Sequence, residues 1–138
     1  MISKKSLIIS WIAQIVAIFI MGQSLYYKFT AHPDSVAIFT DINMEPFGRI
    51  LIGVIELIAC LLLIRNSTAP WGALLGFGTM AGAVVGHSTQ IGWDGARGQL
   101  GMLAVLVLIA CSLVLYIRRM QLPFISHALT ESTKTKTN

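Results

Sequence analysis

The chain is poor in charge, and that shortage decides its class. Asp, Glu, Lys and Arg make up 12% of its 138 residues, against about 25% in soluble globular domains. It has only two cysteines, too few for a secreted disulfide scaffold. Polar low-complexity sequence is confined to the last few residues, which excludes a disordered or collagen-like chain. Common enzyme signatures are absent as well: there is no Cys-x-x-Cys, His-Glu-x-x-His, P-loop or Gly-x-Ser-x-Gly. What is plentiful is apolar. Hydrophobic residues reach 55% and the mean hydropathy is +0.75, so one domain of this length is built for lipid.

A membrane-crossing helix needs about 20 mostly apolar residues, and four stretches qualify: about 7–27, 47–64, 71–88 and 99–117. The first follows Lys4 and Lys5, but its apolar run exceeds that of a signal peptide and no small-x-small cleavage site follows. The expectation is an all-α, integral membrane four-helix bundle over residues 1–120, followed by a tail over 121–138. An even number of spans leaves both termini on one side. That side carries Lys4, Lys5, Arg65, Arg118, Arg119, Lys134 and Lys136, and the other only Lys28, Arg49 and Arg97. Cytoplasmic flanks accumulate Lys and Arg, which predicts that both termini are cytoplasmic. The scatter of these cations between apolar runs argues against a nucleic-acid partner; the lipid bilayer is the expected one.

Between the first two spans, Pro33 followed by Val36, Ala37, Phe39 and Ile42 predicts a short amphipathic outer helix placed to cap the bundle. The Thr/Lys-rich run from Thr130 to Asn138 has no apolar anchor and is expected to lack order. Gly78, Gly82 and Gly86, four apart on the third span, are expected to let helices pack closely in lipid; homo-oligomer formation and clearance for a cofactor are the alternatives. Gly76-x-Gly78-x-x-Ala81 mimics a dinucleotide fingerprint but lacks the strand that motif needs. Cys60 and Cys111 lie at similar depths among Leu, Ile and Ala, as small packing residues rather than a redox pair. No metal-ligand cluster stands out.

The informative residues are the polar ones inside the spans. A central ionisable residue costs roughly 2.5–3.5 kcal/mol on the insertion scale and by default marks a function. Glu56 sits mid-span. Arg49 precedes it by seven residues, nearly two turns on the same face and about 10 Å away, and is its expected partner. His87, Lys28 and Gln23 fall in the same half of the membrane, with Gln99 and Asp94 near the start of the fourth span. The other half is nearly free of polarity apart from Gln14 and a serine. This asymmetry predicts a polar pocket that opens outward, with Lys28, Arg49, Glu56 and His87 as its main ligand-binding candidates and Gln23, Asp94 and Gln99 as secondary ones. Such a pocket suits a ligand with an apolar tail and an oxygen-bearing head. A quinone fits, its carbonyls accepting hydrogen bonds from Arg49, Lys28 or His87 and Glu56 carrying a proton; so does a lipid.

Gly22, Tyr27-Lys28-Phe29-Thr30, Pro33-Asp34-Ser35-Val36-Ala37-x-Phe39, Gly48-Arg49, Gly53-x-x-Glu56-Leu57, Gly72-Ala73, Met80-x-Gly82-Ala83, His87 and Asp94-Gly95 occur in that order. This pattern, over roughly residues 15–117, resembles the DoxX family of small four-span bacterial membrane proteins. The resemblance implies a four-helix membrane bundle linked to redox metabolism, since relatives include the membrane subunit of a thiosulfate:quinone oxidoreductase. It favours a quinone-facing accessory subunit with an oxidoreductase partner. A carrier or binding protein for a lipid or small amphiphile is the main alternative, and a structural membrane partner the third. No catalytic residue is assigned.

Overall fold

The computed structural model describes residues 2–136. Its regular elements are all helical: α1 (Lys4–Phe29), α2 (Pro33–Asp41), α3 (Phe47–Leu63), α4 (Ala69–Gly86), α5 (Gly95–Arg118) and α6 (Pro123–Lys136). A π-helical turn, His87–Ile91, extends α4, and a 3-10 turn, Arg119–Gln121, follows α5.

Local chemistry sets the helix ends. Ser3 caps α1, its hydroxyl accepting from the Ser6 amide at 3.1 Å. Proline stands in the first turn of α2 and of α4, where an N–H has no helical partner to lose. The π turn stops at Gly92, whose φ of +87° suits glycine.

Among the described residues three stretches are long and apolar enough to cross a membrane: Lys4–Phe29, Ala69–Ile91 and Gly95–Gln121. The fourth expected span, α3, has only 17 residues, a rise of about 25 Å. It begins after Pro46 and stops at Leu63. Its outer face is nonetheless as apolar as the others, with Leu51, Ile58 and Leu61 exposed beside Phe19 and Ile12 of α1 and Met102 and Ile109 of α5.

Helices α1, α3, α4 and α5 form a ring in which each packs mainly on two neighbours: α1 on α3, α3 on α4, α4 on α5, and α5 back on α1. Small side chains fill its axis, among them Ala17, Ala59, Ala73 and Ala104. The tightest approach is at Gly72, where a Cβ would stand 2.7 Å from the Ala59 carbonyl oxygen and 2.8 Å from the Leu63 amide nitrogen. Gly78 and Gly82 do not share this role, contrary to expectation. A Cβ on either would meet nothing within 4 Å, and one on Gly86 would touch only Ile91 Cδ1, at 3.3 Å. No neighbouring helix presses on this part of α4, because it borders a cavity.

The tail also differs from expectation. The run from Thr130 is helical to Lys136 as the second half of α6; Thr137 and Asn138 lie outside the described residues. Pro123 starts this helix, and buried Leu122 fixes the chain just before it. Thr130 and Thr133 then turn their hydroxyls onto the carbonyls four residues back, which takes up side-chain polarity within the helix.

Candidate functional site

At one end of the ring α2 packs across the helices, touching α1, α3, α5 and the π turn, so the short amphipathic helix does cap the assembly. Beneath it stands a cavity of about 490 Å³, within the range of small-molecule sites. Met21, Phe39, Ile52, Met80, Leu100 and Leu103 supply much of its apolar wall. Gly78, Gly82 and Gly86 line it too, so that α4 contributes bare backbone there.

Of the seven polar residues singled out by sequence, the cavity gathers five: Gln23, Lys28, Glu56, His87 and Gln99. Its centre is an ion pair between helices. Lys28 Nζ lies 3.0 Å from Glu56 Oε2, and both residues are at least nine-tenths buried. Ser24, one turn before Lys28, accepts a hydrogen bond from Nζ and donates one to Glu56 Oε2 at 3.4 Å. An ammonium has three N–H groups. Two are used here, which leaves one for a ligand. Glu56 Oε1 has no hydrogen-bond partner among the described residues.

The pairing of Glu56 with Arg49 is therefore corrected. Arg49 is buried but does not line the cavity. Its Nε donates to both carboxylate oxygens of Glu45, at 3.0 and 2.9 Å, while Nη2 lies 2.8 Å from Oε1. Its Nη1 donates to the Lys28 carbonyl oxygen. Glu45 stands in the turn just before α3 and reaches Arg49 in the first turn of that helix, whereas Glu56 lies almost two turns further along it. Arg49 thus positions the backbone of Lys28 rather than neutralising Glu56.

His87 lines the cavity with each ring nitrogen covered by a backbone carbonyl oxygen, Nδ1 at 2.9 Å from that of Ala83 and Nε2 at 3.1 Å from that of Arg97; a neutral ring donates to one of the two. It offers a ligand its ring rather than a hydrogen bond. The ring fits because α5 has Gly101 there; a Cβ would stand 2.7 Å from His87 Cδ2 and 2.8 Å from Trp93 Cζ3. Asp94 stands at the exposed N-cap position of α5 and is not part of the lining, so it leaves the candidate set.

Several contributors escaped the sequence reading. Tyr27, Asp34 and Ser35 line the cavity beside Ser24, and the Tyr27 ring lies against His32 with centroids 4.4 Å apart. Ser24 was legible in principle, four residues from Lys28 and so on its face. Tyr27 lies on α1 next to Lys28, whereas Asp34 and Ser35 join only because α2 folds back, which no spacing announces. At the opposite end a second polar network was missed. Gln14 donates to the Leu63 carbonyl at 2.6 Å and accepts from Ser10 at 2.9 Å. Arg118 donates from Nε to Ser10 Oγ at 2.7 Å, from Nη1 to the Asn66 carbonyl at 3.1 Å and from Nη2 to Asn66 Oδ1 at 2.7 Å.

Comparison of the chain with protein-family models, with curated proteins and with solved structures gives no match.

Proposed function

We propose that the protein is a four-span, DoxX-like inner-membrane protein whose cavity binds the head of a quinone, and that it serves as an accessory subunit to an oxidoreductase. The observation that carries this reading is the Lys28–Glu56 pair set in a largely apolar cavity of about 490 Å³. A quinone carbonyl accepts from the remaining Lys28 N–H, and the hydroxyl of the reduced form donates to Glu56 Oε1. Both oxidation states thus find a partner in the same pair. Gln23 and Gln99 add donors at the rim.

Charge balance favours a neutral head over an anionic one. Lys28 is the one Lys or Arg among the lining residues, and Glu56 neutralises it. The remaining carboxylate, Asp34, adds negative charge, so a phosphate head meets no surplus cation. The tail has a route out along Gly78 and Gly82, which are exposed where they border the cavity. In this reading α3 crosses the membrane with the other three helices, its apolar outer face in lipid and its short length matched by local thinning. Electrons reach the quinone from the partner subunit. Reduction to the quinol takes two electrons and two protons, of which Glu56 passes one and water at the cavity mouth supplies the other.

The test is purification in mild detergent, mass spectrometry of retained small molecules, and titration with a short-chain ubiquinone. The wild type is expected to retain quinone and to bind the probe, and Glu56→Gln to weaken binding about tenfold while remaining folded. A folded wild type that binds no quinone, or a Glu56→Gln variant with unaltered affinity, overturns the reading. Retention of a neutral lipid instead would favour the carrier alternative.

A further inference from the structure

The end of the molecule opposite the cavity is strongly basic. Arg118 draws its parts together through Ser10 of α1 and Asn66 of the α3–α4 loop. Lys4, Lys5, Arg65 and Arg119 stand exposed around that junction. Of the chain's six acidic residues, Asp34, Asp41, Glu45, Glu56 and Asp94 belong to the cavity half, which leaves only Glu131 here.

Helix α6 leaves from the same place. The 3-10 turn redirects the chain after α5, buried Leu122 pins the turn, and the Phe124 ring lies 6.2 Å from that of Trp71. Beyond these contacts α6 has little to pack on. Yet Phe124, Ile125, Ala128 and Leu129 fall on one face, at the spacing of an amphipathic helix, and Phe124 and Leu129 are 54% and 42% exposed. Ser126, Thr130 and Lys134 occupy the opposite face. At 14 residues the helix is too short to span a membrane. An apolar strip beside a ring of cations complements one kind of surface, apolar within and anionic at its boundary.

We propose that α6 lies along the anionic phospholipid head groups of the adjoining leaflet, with its Phe124–Leu129 face in the acyl boundary and the basic ring on the phosphates. This rests on α1, α4 and α5 crossing the membrane. It is independent of what fills the cavity.

The experiment uses the full chain with Cys60 and Cys111 replaced by alanine, in bilayer nanodiscs. A polarity-sensitive fluorophore is placed at Leu129→Cys or, as the opposite-face control, at Thr130→Cys. With phosphatidylglycerol present, the probe at 129 is expected to shift to the blue and to be quenched by aqueous iodide at least about threefold less than the probe at 130. Raising the salt should reverse part of that protection, because screening shortens the reach of the charges from about 10 Å at 0.1 M to about 3 Å at 1 M. Equal protection in pure phosphatidylcholine overturns the anionic requirement. Equal quenching at the two positions in both compositions overturns the proposal, while a chain that stays in solution without detergent overturns the spanning reading beneath it.

Discussion

Lys28 of α1 and Glu56 of α3 form a buried ion pair, with Nζ 3.0 Å from Oε2, on the wall of the cavity. The pair joins two helices and at the same time supplies the polar end of the site. Loss of one partner is therefore both a structural and a binding lesion, and the two effects need separate readouts.

Removing the cation alone leaves a buried carboxylate without compensation. Lys28→Met should lower unfolding stability in detergent by about 3–5 kcal/mol, and adding Glu56→Leu should restore most of that loss. Arg49→Gln and Glu56→Gln share Lys28, at its backbone carbonyl and its ammonium respectively, so they should couple, but less strongly than Lys28 and Glu56 do. A double-mutant cycle read by thermal unfolding checks both statements. Strong coupling between Arg49 and Glu56 would show that they pair after all.

Two glycines of α4 should respond in opposite ways. Gly72→Leu drives a side chain into the α3 backbone and should cost about 1–3 kcal/mol or more, as overpacking does. Gly82→Leu meets empty space and replaces a poor helix former, so stability should hold or rise by about 0.8 kcal/mol. The same leucine enters the cavity, and binding of a long-tailed quinone should fall about tenfold. Melting curves and quinone titrations on the two variants decide it.

At the opposite end, Arg118→Gln should cost about 1.5–3 kcal/mol, the range for hydrogen bonds to a charged group. Asn66→Ala should cost less, since the Asn66 carbonyl still accepts from Nη1. Thermal unfolding of the two variants tests the order.

Orientation is open to chemical labelling. With Cys60 and Cys111 replaced, single cysteines within residues 31–43 should react with an impermeant maleimide on intact cells, and one at Ser132 should not. Labelling at Ser132 from outside reverses the topology.

Periodicity and apolar run length were enough to read the helical class, the places of the long helices and the short helix at Pro33. Counting polar residues by depth was enough to pick Lys28, Glu56, His87, Gln23 and Gln99, which the cavity lining contains. Partnership was harder to read. Glu56 and Arg49 share a helix face, but Lys28 reaches Glu56 from a different helix, across 28 residues of sequence. Such a contact depends on how α1 and α3 dock, and one-dimensional spacing does not encode that. The glycines failed for a related reason: a small residue admits either a neighbouring helix or empty space, and only the packed structure tells Gly72 from Gly82. The Arg118 network was hidden because its acceptors, a serine and an asparagine, carry no charge to draw notice.

The same Arg118 fixes an order of events during synthesis. Its partner Ser10 lies 108 residues earlier in the chain. The first helix is therefore made long before the group that completes its far end has been translated. The Lys28–Glu56 link, by contrast, needs only the first 56 residues. A nascent chain can thus join α1 to α3 early, and it stays unlatched at the basic end until α5 is made, so a chain cut short before residue 118 is distinguishable by that open end.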